Sequence, residues 1–433
     1  MLCLCQVSVD LAIGLALAGF TLSARSAKRD FMGELSSIEY DLIAQIDPAP
    51  MLDQVLGWSA INTGTRNLDG LAQQAGLLAS AFAVLPGEVT LEPPGAVDAV
   101  TAGGHTVAIR HGHHLVLRVR PQADRRFLLT GHMDTVFPAD HQFQTPRWLD
   151  PETLNGPGVA DMKGGIAVML AALAALETSP VASRIGYDVL INADEETGSL
   201  SSAPLIAQLA QDKAAALTFE PSALPDGTLA GARPGSGNYS VVIHGRSAHA
   251  GRNPADGRNA IVAAASLVIA LTGLAGPDIS VNPAKIDGGS ANNVVPDLAI
   301  VRFNIRPRET AAADRFATAL AALVARIAAT HDVHAHIHGG LSRPPKPLTE
   351  AAERLFALVR DCGAALGQAI GWQASGGVCD GNNIAACGVP VVDTMGVRGG
   401  AIHSDAEFLI VPSLGERARL AALVLHRLCG EQP

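Results

Sequence analysis

The chain has 433 residues, 48% of them hydrophobic and 17% charged, with a formal net charge of −10. That length allows more than one packing unit. The acidic balance, with no Lys/Arg stripe to displace phosphate counterions, argues against a nucleic-acid partner. Six cysteines (Cys3, Cys5, Cys362, Cys379, Cys387 and Cys429) fit neither a disulfide framework nor a zinc-finger spacing, and read as buried free thiols of a reduced compartment.

In chain order, residues 11–24 form an apolar run too short to span a bilayer. The segment before it has no Lys or Arg and carries Asp10, a poor secretory pattern. Residues 1–31 are therefore expected to be a leader or non-structural N-terminus, or an over-long start before Met32, on a cytoplasmic enzyme without a membrane partner. A periplasmic location is the alternative, if 1–27 act as a signal peptide. From about Asp41 the sequence alternates helix-like and strand-like segments, the signature of an α/β layer fold. A helix is predicted over 68–82, strands over 126–130, 187–192 and 215–219, and a helix along one side over 162–177. After Gly231 the order becomes strand (239–244), helix (255–274), strand (279–286), strand (298–305), helix (310–330) and strand (333–337). That β-α-β-β-α-β order is a split-βαβ unit, bracketed by the turn-rich stretches GARPGSG and GGLSRPPKP. The α/β pattern resumes at Glu350. The economical division is a catalytic domain in two parts, 32–231 and 342–433, with an α+β domain, 232–341, inserted between them.

The residues that carry chemistry fall just after predicted strands. His132 and Asp134 follow RFLLT, Asp194, Glu195 and Glu196 follow YDVLIN, and Glu220 follows AALTF. Asp161 ends the loop NGPGVAD, and His403 lies in GGAIHSDAE. In an open α/β sheet the carboxyl ends of the strands converge on one crevice, where these side chains should meet. Imidazoles and carboxylates are the ligands of zinc, and a shared carboxylate can hold two ions roughly 3.5 Å apart. One more carboxylate, not a ligand, must take the proton of the attacking water and pass it to the leaving nitrogen. A lone HxD or EE pair is more often a solvated loop feature, but here all parts of the set are present together.

The motifs GHMDTV, GPGVADMKGG, NADEETGS, FEPS, GRSAHAG and GAIHSDAE, in that order, resemble the zinc-dependent aminoacylase/carboxypeptidase family. That family includes glutamate carboxypeptidase, acetylornithine deacetylase and succinyl-diaminopimelate desuccinylase, and the match looks closest to the glutamate carboxypeptidase branch. The resemblance implies a di-zinc exopeptidase-like α/β domain with a ferredoxin-like lid and dimerisation domain. It implies two Zn2+ per subunit, with Co2+ or Mn2+ as substitutes, a homodimer, and a small N-acyl amino acid or peptide substrate. Residue by residue, Asp161 would bridge the metals, His132 and Glu220 complete one site, and Glu196 and His403 the other. Glu195 would be the general base and acid, and Asp134 would orient His132. A cis peptide is implied at Asp161–Met162, where Met162 replaces a commonly acidic residue. His249 would reach the neighbouring subunit's site to stabilise the oxyanion, and Asn292, Arg306 and Arg343 would bind the substrate carboxylate. Asp380 matches an aspartate of a glycine-rich turn, and Cys379 beside it reads as a small neutral neighbour.

The reaction so implied is hydrolysis of an amide bond next to a free carboxylate. Alternatives are an N-acyl amino acid deacylase of the acetylornithine or succinyl-diaminopimelate type, and a non-catalytic metal-binding relative, against which the intact base Glu195 argues. An aminopeptidase is disfavoured, because the candidate pocket residues are Arg and Asn rather than acids. Two histidine clusters, His111/His113/His114 in a hairpin turn and His334/His336/His338 along one strand face, are expected to face solvent.

Overall fold

A computed structural model describes residues 35–430. The expected leader, with Cys3 and Cys5, lies outside the described residues. At the centre is a six-stranded sheet in which Arg126–His132 runs between Gly186–Asn192 and Ala215–Thr218, parallel to both. Val391–Val392 extends it in parallel beyond Ala215–Thr218, while His114–Val119 and Glu88–Glu92 continue antiparallel on the other side. Buried on both faces, the middle strands are near-continuous apolar runs. Four of them therefore deliver their carboxyl ends to one edge, where the charged residues begin.

The helix Gly164–Glu177 (GGIAVMLAALAALE) has no charge before its last residue. The sequence reading placed it along one side. It is instead buried almost all round, between the helices Pro48–Ser59 and Ser413–Gly430 and the sheet, as an all-apolar helix must be. With its preceding turn it is long and apolar enough to cross a membrane, but 89% of that stretch is buried inside the protein. A Cβ at Gly165 would overlap the carbonyl oxygen of Phe219. That glycine lets the helix press against the strand end just before Glu220.

The inserted unit is a four-stranded antiparallel sheet in the order Ile279–Gly288, Leu298–Pro307, Ser236–His244, His334–Arg343. Ala260–Thr272 and Thr310–His331 cover one face, around a core of its own that includes Val241, Ile243, Val301, Phe303, Leu267 and Phe316. The opposite face receives the tip of the hairpin Val97–Val100/Thr106–Ile109, with Val100 against Val242 and Ile300. Two boundaries differ most from the predicted ones. The first helix starts at Ala260, where the Asn259 side chain caps the Val262 N–H. The last strand does not stop at 337 but runs to Arg343, because Gly339 takes φ 92° and lies so close to Asn238 that a Cβ would meet its carbonyl oxygen. What read as a turn is the strand that returns the chain to the main domain.

The histidine expectations split. His334 and His336 are exposed, as expected, but His111 and His114 are buried while His113 is exposed. His114 opens a central strand, and its Nδ1 accepts the Ala193 N–H under the loop that carries Glu195. Of the four described cysteines Cys362, Cys379 and Cys429 are buried, but Cys387 is exposed, near the end of a short helix.

Candidate metal centre

The strand ends bring the acidic and histidine residues together. His132 closes its strand with its ring buried. Its Nδ1–H donates to the carbonyl of Asp134 at 3.0 Å, which fixes the tautomer and leaves Nε2 free to act as a ligand. Nε2 lies 3.1 Å from Asp161 Oδ1 and 3.6 Å from Glu220 Oε2. The other oxygen of Asp161, Oδ2, lies 3.3 Å from His403 Nε2, which is 3.2 Å from Glu196 Oε2. Asp161 thus stands between two imidazoles, each paired with its own glutamate. The Asp161–Met162 peptide is cis.

Asp134 supports the arrangement through its carboxylate as well. Oδ1 accepts the Glu195 N–H, and Oδ2 accepts the Glu196 N–H and the Thr65 hydroxyl. One buried carboxylate thereby ties the histidine strand to the glutamate turn. Glu195 is buried beside His132 and Glu220, and the carboxylate atoms of Glu195 and Glu220 approach the imidazole closely enough to share a cation.

The electrostatics are those of a site short of positive charge. Burial pushes the Glu195 carboxyl well above its ordinary range, helped by Glu220 and opposed by Arg343. Burial and the neighbouring Asp161 push Glu196 up to about 7. Hydrogen bonds to Asp161 and Glu196 raise His403 to about 11. Burial alone would push His132 down, but Glu220, Asp134 and Asp161 hold it well above the usual imidazole value. Each of these shifts is one that bound cations would oppose at the carboxylates and replace at the imidazoles. Glu220 Oε1 is buried with no hydrogen-bond partner, an acceptor with its ligand position open. Two imidazoles and three carboxylates, with one carboxylate shared, suit a pair of divalent ions.

The remaining expected residues are placed apart from this cluster. Arg343 is buried, and its Nη2 lies 2.6 Å from Glu195 Oε1 while donating to Glu195 O and Ser199 Oγ at 2.8 Å. It stands behind Glu195 and does not line the cavity of about 410 Å3 in front of the cluster. That cavity is lined by Asp161, Glu195, Glu220 and His403 with Arg233, Ser375 and Cys379. Arg306 is half-buried, with Nε on Asn304 Oδ1, and faces a second hollow of about 540 Å3 with Arg308 and Ser280. Arg233 and Ser375 line both hollows. His249 and Asn292 are exposed on two loops of the inserted unit stitched together by the Ala250 N–H to the Asn293 carbonyl. His249 Nδ1 accepts the N–H groups of Gly251 and Arg252, so its proton is on Nε2, facing outward as a donor. Cys379 sits 3.5 Å from Asp393, and burial pushes its thiol well up, which leaves it a poor nucleophile.

Sequence reasoning singled out Asp380 without its partners, and it missed Asp393 and Glu407 altogether. Asp380 binds Asn192 and Ser199 in the glycine-rich turn behind Arg343. Asp393 pairs with Arg233 at 2.7 Å and Lys346 at 2.9 Å. Glu407 accepts three backbone N–H groups of the Asp161 loop. Only Glu407 left a signal, as a second acid four residues past His403.

Residues 128–427 match the family model of peptidase family M20/M25/M40. The chain belongs to that family. It is similar to carboxypeptidase G2 of Pseudomonas sp. (strain RS-16), with 29% identity over 379 residues, covering 85% of this chain and 86% of that protein. It is similarly related to the succinyl-diaminopimelate desuccinylase of Xanthomonas oryzae pv. oryzae (strain PXO99A), with 29% identity over 324 residues, 70% of this chain and 84% of that protein. In fold it matches a dinuclear metal-binding M20 peptidase of Bacillus subtilis, at a TM-score of 0.63 and 14% identity over 89% of this chain and 99% of that one. As an M20 chain it is a metal-dependent hydrolase of amide bonds.

Proposed function

We propose that this hydrolase cuts an amide bond next to a free carboxylate, releasing an amino acid from a small acyl or peptidyl substrate. The observation that carries the reading is Asp161, whose two oxygens are divided between His132 and His403. The first metal would be held by His132, Asp161 and Glu220, and the second by Asp161, Glu196 and His403, with zinc suited to this mixed set. When bound, such a pair supplies an acidified water and polarises the scissile carbonyl. Glu195, buried and outside the two ligand sets, then has the position and the raised proton affinity to take the water's proton and deliver it to the leaving nitrogen. Arg343, paired with its carboxylate, keeps the side chain aimed.

Arg306 and Asn292 are assigned to the substrate carboxylate, and the absence of acids from the Arg306 hollow favours an anionic group there. His249 is assigned to the oxyanion of the neighbouring subunit's substrate, because it is exposed on the lid and does not line its own chain's cavity. A second copy has a surface to bind. Val262, Ile269 and Ile286 are exposed on the outer lid helix and on the edge strand Ile279–Gly288, which has no partner on its outer side. Similarity to the desuccinylase supports a second reading with the same chemistry, removal of an N-acyl group from a diamino acid.

The test is a panel of N-acyl amino acids and dipeptides ending in Glu, Asp, Gly or Ala, with N-acetylornithine and N-succinyl-diaminopimelate alongside, assayed before and after chelation. Turnover should vanish with the metal and return with added zinc. Unchanged turnover in fully metal-free protein would overturn the assignment.

A further inference from the structure

We infer that Glu407 and Asn155 form a clamp that sets the spacing between the two halves of the metal centre, so that Glu407 is a positioning residue for the second ion. The inference rests on the two-metal reading above. Asp161 and His403 are far apart in sequence, and each sits at the end of an irregular loop. The clamp is where the two loops meet.

On one side, Glu407 Oε1 accepts the N–H groups of Ala160 and Asp161, both at 3.0 Å, and Oε2 accepts that of Gly158 at 3.2 Å. On the other, Asn155 Nδ2 donates to the carbonyls of Asp405 at 3.0 Å and Glu407 at 2.6 Å. Asn155 is itself held by Arg147 Nε on its Oδ1, and pairs in register with Phe408. The contacts run both ways: a side chain of the His403 loop reads the Asp161 backbone, and a side chain of the Asp161 loop reads the His403 backbone.

From this anchor to His403 the chain is one closed turn. The Glu407 N–H donates to the Ser404 carbonyl, Ala406 N–H donates to Ser404 Oγ, and that hydroxyl donates to the Ala401 carbonyl. Ala401 and His403 both take left-handed backbone angles, φ 52° and 64°. For residues with a Cβ such angles persist only where surrounding bonds over-determine them. Fixing Glu407 therefore fixes His403, whose side chain is otherwise half exposed.

Glu407 is 1% exposed, and among the described residues its charge is felt by the buried Lys163 but its direct bonds are to backbone N–H groups. A buried carboxylate is costly unless fully hydrogen-bonded, and an apolar residue in its place would leave the Gly158, Ala160 and Asp161 N–H groups without this acceptor. The three N–H groups it gathers belong to the turn that aims Asp161. Second-layer residues of this kind change metal affinity by about ten- to a hundredfold when altered.

The test is metal binding by the full-length protein, read without reference to turnover. Purified wild type, Glu407→Gln and Asn155→Ala are stripped with chelator and dialysed against buffered free Zn2+, and zinc per chain is counted. The amide of Glu407→Gln keeps the size of the side chain but turns a donor toward backbone donors. Wild type should hold two ions, and both variants should keep one ion at wild-type affinity while binding the second about ten- to a hundredfold more weakly. Glu407→Asp, with the charge but a shorter reach, should fall between. If Glu407→Gln fails to fold, judged by the circular dichroism of the metal-free protein, Asn155→Ala and Glu407→Asp carry the test. Two ions at unchanged affinity in the folded variants would overturn the clamp, as would parallel weakening of both sites. Wild type that binds no zinc would instead overturn the two-metal reading.

Discussion

Glu195 and its partner Arg343 are paired charges to which the proposed reaction gives two different roles. Glu195→Gln should keep both ions while lowering kcat by about a hundred- to ten-thousandfold, the usual contribution of a positioned proton carrier; zinc analysis beside steady-state kinetics checks both halves. The sequence motif placed Arg343 with the substrate carboxylate, whereas its guanidinium is committed to the Glu195 side chain and backbone. Arg343→Met should therefore depress kcat more than it raises KM, and the reverse split would return Arg343 to substrate binding. Asp393 allows a prediction on pH. Burial alone would raise its carboxyl, but Arg233 and Lys346 hold it below the usual 3.8. A folded value below the unfolded one means stability that is present above the unfolded value and lost as pH falls through the folded one. Asp393→Asn, which strands two buried cations, should cost about 3–5 kcal/mol near neutral pH. In urea titrations that deficit should narrow as the pH drops below 3.8.

At the scale of elements, the helix Gly164–Glu177 shows how packing reaches the chemistry. Gly165→Ala should force that helix off the Phe219 carbonyl, costing about 1–3 kcal/mol as an overpacking change and displacing the strand end that carries Glu220. Thermal melts with and without zinc would show it, and an unchanged melt would mean the contact yields easily. Much of this architecture is legible in the sequence. The helix over Leu68–Phe82 and the βαββαβ insert follow from hydrophobic period and turn residues. Three of the five ligand candidates, His132, Glu196 and Glu220, stand at or just after the ends of parallel strands, a place that topology alone makes functional. What could not be read depends on contacts between distant segments. GGLSRPP looks like a turn until the partner strand at Asn238 is seen to need a glycine opposite it. The buried places of His111 and His114 follow from the sheet strand that begins at His114, which local polarity does not announce. Arg343 pairs with Glu195 only because that late-ending strand carries it to the main domain.

For the whole molecule, the proposed dimer surface on the inserted unit would join assembly to catalysis. Ile269 is 74% exposed on the helix beside the open edge strand. Ile269→Glu should shift the protein toward a monomer in sedimentation. If His249 works across the interface, activity should fall with the dimer fraction while zinc content stays constant. A monomer of full activity would place the oxyanion donor within one chain.

The proposed ligand set would also carry a consequence for biogenesis. Four of the five lie before the insert, and the fifth, His403, lies near the end of the chain. During synthesis, the first part of the catalytic domain and then the lid emerge from the ribosome with only an incomplete set of donors, and domains tend to fold in that order. On the proposed ligand set, full loading with metal would wait until the chain has been made past His403, and a product truncated before that residue would lack one of the donors.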